Sequence, residues 1–319
     1  MGQLNPEAIA EKIIDNIDRV LVGKKQAAEL CLVALGCGGH LLLEDVPGVG
    51  KTMLARALAC SLGLTFNRIQ CTPDLLPSDI TGVSVFNPQE GAFSFRPGPV
   101  MANIVLVDEI NRATPRTQSG LLEVMAEGQV TVDGQTFALP EPFMVVATDN
   151  PIEFEGTFPL PEAQLDRFLL RVSLGYPTPE EEREILSRLE KEHPIETLQQ
   201  VVSPEEINRF KQAARAVYVE NSLRAYIVEL VSRTRRHSAL AMGASPRGSI
   251  ALFQAARVLS VLRGRTYVLP EDIKYLAPFV LAHRLILTPE ALARGEKGLR
   301  IMDEIINSTP VPTEEIMNA

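Results

Sequence analysis

Five short β-prone runs punctuate the first half of the chain: HLLLED at 40–45, FNRIQC at 66–71, NIVLVD at 103–108, FMVVATD at 143–149 and FLLRVSL at 168–174. Near-continuous Val, Ile and Leu with little polar alternation is the pattern of strands buried on both faces. Between the runs, apolar residues recur at helical spacing over 6–20, 24–36, 51–62 and 114–127. Asn5 is a plausible N-cap for the first helix, with Pro6 at its first position. Strands alternating with helices predict a parallel sheet of five strands with helices on both sides.

After Tyr176-Pro177 the pattern changes. TPEEEREILSRLEKE opens with a Thr cap, Pro and acids in its first turn, then Leu and Ile at helical spacing. Helical stretches follow at 203–217, 222–238, 246–262, 270–283 and 296–307, and no strand run is visible among them. The chain therefore reads as an α/β domain over 1–177 and an all-α domain over 178–319. Two hairpins interrupt the first domain. VTVDGQTF places Asp133-Gly134 between alternating arms, and VSVFNPQEGAFSF places a Pro-Gln-Glu-Gly turn between two more. Their blandest reading is covering hairpins; the sharper one is arms that reach a partner.

Composition narrows the function. With 45% hydrophobic and 22% charged residues, the chain is ordinary for a water-soluble fold. Its net charge of −9 argues against non-specific nucleic-acid or anionic-membrane binding. No apolar stretch approaches the roughly 20 residues of a spanning helix, and the first residues lack the apolar core of a signal peptide. A cytoplasmic protein is the expectation. Cys31, Cys37, Cys60 and Cys71 form no CxxC pair and read as buried reduced thiols. His40, His193, His237 and His283 are scattered, with no HExxH.

The chemistry begins at LLLEDVPGVGKTMLARAL, residues 41–58: a strand, a small-residue turn and a helix. Gly50-Lys51-Thr52 matches the end of a phosphate-binding loop, although Asp45 stands where the pattern has its first Gly. Pro47 has no N–H, so the donors for phosphate oxygens start at Gly48 and continue through Val49, Gly50 and Lys51 to Met53. Lys51 suits the β/γ-phosphate charge and Thr52 a Mg2+ ion. NIVLVDEINRA then ends a buried-type strand in Asp108-Glu109, at the strand edge where α/β sheets hold ligands. Asp108 suits a metal ion, and Glu109 a water aimed at the γ-phosphate. A single such acidic pair is commonly only a solvated strand end; paired with Gly-Lys-Thr it points to phosphoryl transfer. FMVVATDN ends at the same edge, where Asn150 either orients that water or caps the turn into Pro151.

These stretches resemble the MoxR-type AAA+ ATPases over nearly the whole chain. EDVPGVGKT, TPDLLPSDITG, VDEINRATPRTQSGLLEVMAEGQVTVDG, ATDNPIEFEGTFPLPEAQLDRF and GASPRGS carry the likeness. The resemblance implies an AAA+ P-loop αβα core with a helical lid, and a ring, usually a hexamer, with ATP and Mg2+ bound between neighbours. It implies Lys51 and Thr52 as the Walker A pair, Asp108 and Glu109 as the Walker B pair, and Asn150 as sensor 1. Arg167 in LDRF corresponds to the arginine finger and Arg247 in GASPRGS to sensor 2. Val22-Gly23 corresponds to the adenine-side segment, 84–95 to the helix-2 insert and 130–138 to the pre-sensor-1 hairpin. A planar cation at the γ-phosphoryl group stabilises the charge spread in the transition state, whichever chain supplies it. Without the resemblance, Arg167 reads equally well as a surface arginine paired to Asp166. Arg247 reads as a helix-start arginine, or as one that closes the second domain on ATP. Asp45 is expected to point away from the nucleotide.

The function implied is chaperone-like remodelling or maturation of protein complexes, with von Willebrand A domain partners. Three alternatives remain at this stage: the ATPase subunit of a metal chelatase, a nucleic-acid motor, and a scaffold that binds ATP without turnover.

Overall fold

The computed structural model describes residues 6–89, 91–150, 156–190 and 192–312. Asn5, the centre of the Pro-Gln-Glu-Gly turn and Pro151 lie outside the described residues. In chain order the first part runs α1 (Pro6–Asp18), α2 (Lys25–Cys37), β1 (Leu41–Glu44), α3 (Lys51–Ser61), β2 (Phe66–Gln70) and the short α4 (Pro77–Thr81). The hairpin β3 (Gly82–Asn87) and β4 (Ala92–Pro97) follows, then β5 (Ile104–Asp108) and α5 (Pro115–Glu127). A second hairpin, β6 (Gln129–Val132) and β7 (Gln135–Ala138), precedes β8 (Met144–Asp149), the one-turn α6 (Glu162–Leu165) and β9 (Leu170–Val172).

The five expected strands form one sheet in the order β2-β5-β8-β1-β9, every pair parallel. Successive side chains on a strand point to opposite faces, and here they enter two separate cores. Leu41, Leu43, Ile104, Leu106, Met144 and Val146 join the cluster under α1, α2 and α3. Leu42, Val105, Val107, Val145 and Ala147 join the cluster with Leu121, Leu122 and Met125 of α5. Both faces are dry, which is why the runs lack polar alternation.

Helix ends follow their caps. Gly38, in the left-handed region, closes α2 by donating to the Ala34 and Leu35 carbonyls. Thr114 accepts from the Thr117 N–H with Pro115 at the first position of α5.

The remainder of the chain contains α7 (Pro179–Arg188), α8 (Pro204–Ala216), α9 (Asn221–Thr234), β10 (Leu240–Met242), α10 (Pro246–Leu262), α11 (Pro270–Leu281), β11 (Ile286–Leu287), α12 (Pro289–Ala293) and α13 (Gly298–Ser308). The all-helical expectation needs one correction: β10 and β11 pair antiparallel. At three and two residues, with Met242 exposed, neither segment has the length or the buried run that marks a strand in sequence. The region is otherwise helical, and its apolar residues continue the α1–α3 core: Leu252, Ala255, Leu259 and Leu276 are fully buried in that same cluster.

All four cysteines are unpaired thiols. Burial pushes the Cys31, Cys37 and Cys71 thiols up to about 12, so they are inert at neutral pH. No helix among the described residues is long and apolar enough to cross a membrane.

Candidate active site

From Glu44 the chain turns through Asp45–Gly50 and α3 begins at once at Lys51. Gly48 and Gly50 have φ of 84° and 96°, where a side chain would be strained. Gly50 is the N-cap of α3 and supplies no side-chain cap hydrogen bond. The first-turn N–H groups of this eleven-residue helix are thus left to an anion. Lys51 folds back, its Nζ donating to the Asp45 carbonyl at 2.7 Å. Thr52 and Met53 complete the half-buried first turn.

Asp45 occupies its unusual position without facing that anion site. Its buried carboxylate accepts from Ser173 Oγ at 2.8 Å and from the N–H groups of Leu174 and Gly175. Those donors lie on the segment from β9 to α7, so Asp45 anchors the loop to the chain beyond the sheet. Val22 and Gly23 lie close by: Leu21 approaches to 3.4 Å of where a Gly50 Cβ would stand. A Cβ on Gly23 would fall 1.7 Å from Glu181 Oε1, and φ there is 74°. Only glycine fits between this segment and α7.

Sheet register aligns a row of polar residues at the carboxyl edge: Gln70 opposite Asp108, and Glu44 opposite Asp149. Asp108 Oδ1 accepts from Thr148 Oγ1 at 2.7 Å, and Oδ2 from Arg68 Nη2 at 2.6 Å. Glu109 adopts a left-handed backbone, φ 56° and ψ 54°. Its N–H donates to Thr148 Oγ1 at 2.8 Å, while Oε2 accepts from Gln70 at 2.9 Å and Arg112 at 3.1 Å. Burial, then the Glu44 carboxylate, raise the Asp149 pKa; an Asn150 backbone hydrogen bond, Lys51 and Arg171 oppose them. Asn150 is buried, and its carbonyl accepts from Asn111 at 3.5 Å.

The two arginines lie elsewhere. Arg167 is not paired to Asp166: its Nη1 donates to the Leu122 carbonyl at 2.6 Å. Asp166 instead pairs with Arg284 at 2.7 Å and with Arg247 at 3.9 Å. Arg167 and Arg247 line one open cleft of about 450 Å3 together with His40, Glu123 and Glu127. His40 precedes β1, whereas the Lys51 loop follows it. A four-residue strand at roughly 3.3 Å per residue puts about 13 Å between those edges. Arg247 is therefore set apart from its own chain's Lys51 loop. The start of α10 is turned to the amino edge of the sheet.

Residues 40–170 match the profile of the ATPase family associated with various cellular activities (AAA), and 232–305 that of the AAA lid domain. The YeaC protein of Bacillus subtilis is 55% identical over 95% of each chain. Chaperone MoxR1 of Mycobacterium tuberculosis is 44% identical over 95% of this chain and 82% of its own. The chain belongs to the MoxR family of AAA+ ATPases. A solved structure of a Cytophaga hutchinsonii protein superposes with a TM-score of 0.89 at 39% identity, covering 97% of this chain and 96% of that one.

As a MoxR-family ATPase the chain binds nucleotide, and the uncapped α3 terminus backed by Lys51 fits a polyphosphate. The donor set also fits Mg2+ better than a transition metal. Among the described residues no three His, Cys, Asp or Glu converge, so Thr52 and Asp108 would leave most of the coordination sphere to phosphate and water oxygens. Four residues of this MoxR site escaped the sequence reading: Arg68, Gln70, Arg112 and Thr148. Arg68 and Gln70 alternate along FNRIQC, and Thr148 precedes Asp149-Asn150; only the sheet order shows which acids they meet.

Proposed function

We propose that this ATPase hydrolyses Mg-ATP at a site shared between two copies in a ring, the hexamer being the form its family resemblance implies. One copy supplies Lys51 to the phosphates, Thr52 and Asp108 to the metal, Glu109 and Asn150 to the attacking water, and Val22-Gly23 to the adenine. The next copy supplies Arg167 and Arg247. Mg2+ in this site would neutralise phosphate charge. Glu109, held by Gln70 and Arg112, takes the water's proton. Neither arginine contributes until a second chain presents its amino edge.

The observation carrying this reading is the separation of the arginine pair from Lys51 by the length of β1, with both arginines in one open cleft. Hydrolysis then changes how copies sit against one another and moves the two hairpins. Phe95 of β4 stacks on Phe137 of β7 with centroids 4.0 Å apart, so the hairpins move as one unit. Phe86 and Phe93 project from it into solvent. The unit acts on a protein client in the cytoplasm, together with a von Willebrand A domain partner. A net charge of −9 disfavours the nucleic-acid motor, and the retained Glu109 and Arg167 disfavour a scaffold without turnover.

The test mixes two inactive variants. Lys51→Ala keeps its arginines, and Arg167→Ala keeps its phosphate loop. A 1:1 mixture should recover about a quarter of wild-type hydrolysis by random head-to-tail pairing. Two variants that assemble normally yet stay inactive when mixed would refute the shared site, as would an Arg167→Ala protein with the wild-type rate.

A further inference from the structure

A second cleft, of about 190 Å3, opens where the end of α2 meets α8 and α10. Lys211, Arg215 and Arg257 line it with Gln254, Cys37 and Gly38. Among the described residues none of the three cations has a carboxylate within ion-pair distance. The Arg257 Nε is buried without a hydrogen-bond partner, its guanidinium lying 5.4 Å from the Phe253 ring centre. Burial pulls the Lys211 pKa down, Glu141 partly offsets this through space, and Arg215 pulls it down further. Three cations without an ion-pair partner make this cleft a basic patch on an acidic protein, suited to an anionic occupant. Cys37, Gly38 and Gln254 also line the neighbouring cleft that holds Arg167 and Arg247, so the two clefts adjoin along the amino edge.

The carboxyl edge carries the opposite feature. α7 follows directly from the segment that holds the Asp45 carboxylate, and Arg188 at its end reaches back to the Asp18 carbonyl. It therefore flanks the phosphate loop. Glu180, Glu181 and Glu182 occupy its first turn, and no residue of the helix is buried. Glu181 is engaged by the capping box with Thr178 and Glu180 pairs at the surface with Arg183 at 2.8 Å, whereas Glu182 faces solvent. On the same helix Leu186 is 68% exposed, and Leu189 just beyond it 43%. A helix with no buried residue, an acidic first turn and bare leucines is only partly covered by its own chain.

A ring of identical chains joins two different surfaces of each copy at every step. We propose that the acidic face of α7 in one copy docks into the Lys211–Arg215–Arg257 cleft of the next. The proposal rests on the shared-site reading, which brings an amino edge to a carboxyl edge, and extends it to surfaces that touch no nucleotide. Opposite charges across the contact set its direction and register, while like edges repel. Leu186 and Leu189 lose their water in the same contact, and salt weakens the charged part.

The test reads mass and leaves hydrolysis aside. Lys211→Glu/Arg215→Glu reverses the cleft, and Glu180→Arg/Glu182→Arg reverses the helix. These positions are exposed or half-buried and outside the site, and thermal unfolding of each variant monitors folding. Each variant alone should assemble only at concentrations at least about tenfold above wild type, since like charges then face each other at every contact. Mixed in equal amounts they should recover the wild-type assembly, because every alternating contact again pairs opposite charges. Wild-type assembly by either variant alone, or a mixture no better than its components, overturns the docking. A cleft variant that assembles normally but loses stabilisation by pyrophosphate marks a small-anion site instead, and overturns it too. The mixture of Lys51→Ala with Arg167→Ala reports on the shared site separately, so either idea can fail without the other.

Discussion

Arg68 Nη2 donates to Asp108 Oδ2 at 2.6 Å, so the carboxylate best placed for a metal ion already holds a protein cation. Arg68 is steadied there by Gln70 Oε1 at 2.7 Å. Its side chain is 49% exposed, so the pair contributes little to folding. In the proposed site it would compete with Mg2+ for one oxygen. Displacing a half-exposed pair worth about 0.2–1 kcal/mol corresponds to roughly a 1.4- to fivefold change in a binding constant. Arg68→Ala should therefore reach half-maximal hydrolysis at about 1.4- to fivefold lower Mg2+ concentration, with unfolding unchanged. A Mg2+ titration of hydrolysis that matches wild type would show that the pair does not gate the metal.

Glu109 combines a strained backbone, at φ 56°, with the carboxylate proposed to activate the attacking water. A left-handed residue with a side chain costs roughly 1–2 kcal/mol, partly offset in a glycine variant by the freer unfolded chain. Glu109→Gly should keep its stability or gain up to about 1 kcal/mol while hydrolysis falls at least about a hundredfold. Urea unfolding beside a turnover assay checks both halves. A variant that is both inactive and clearly less stable would mean that Glu109 supports the fold through Gln70 and Arg112.

The parts of this architecture that depend on local pattern were legible before any coordinates. Buried runs located all five strands, because each strand's alternate residues enter two different dry cores. Gly48, Gly50 and Lys51 announced the loop because only glycine suits φ near 90° at a helix start. Relations across the sheet were not legible. Whether Arg247 faces its own chain's nucleotide depends on how α10 packs against α2, and no spacing in GASPRGS encodes that. Arg68 meets Asp108 only because β2 lies beside β5, and β10–β11 are too short to leave a period. Asp45 broke the loop pattern, and its reason lies 128 residues away at Ser173.

His40 makes one junction of the fold sensitive to acid. Its Nδ1 accepts from the Val145 N–H at 3.0 Å, so the proton sits on Nε2, which donates to the Met125 carbonyl at 3.0 Å. Burial lowers its pKa from 6.5 to about 4, against a smaller opposing effect of the Met125 hydrogen bond. The unfolded chain therefore binds the extra proton first. This contribution is complete above pH 6.5 and is lost as pH falls toward 4, by up to about 3 kcal/mol. His283 shifts in the same direction, through burial and then Arg284 and Arg171, so wild-type data alone mix the two. His40→Gln keeps a donor and an acceptor and does not titrate. The urea stability gap between wild type and His40→Gln should shift in favour of the variant as pH falls from 7 to 5. Parallel curves would remove His40 as the cause.

Asp166 and Arg284 join the two halves of the chain around the arginine cleft. The Arg284 side chain is 4% exposed, and it donates to the Phe168 carbonyl at 2.8 Å as well as to Asp166. Burial lowers the Arg284 pKa, and Asp166 acts against that by holding the charge. Removing the carboxylate alone leaves a buried cation without its counter-charge, which typically costs about 3–5 kcal/mol. Asp166→Ala should fall near the lower end, about 3 kcal/mol, because Arg284 keeps its backbone carbonyls. It should also reduce hydrolysis, since Arg167 is the next residue and Arg247 loses its partner. Asp166→Ala/Arg284→Met removes both charges and leaves an apolar side chain of similar length. It should regain most of the lost stability without regaining full activity. Urea unfolding of the two single variants and the double variant measures the coupling. Losses that simply add would mean that Arg284 is held by Phe168 and its neighbours, and that Asp166 serves only the exposed cleft.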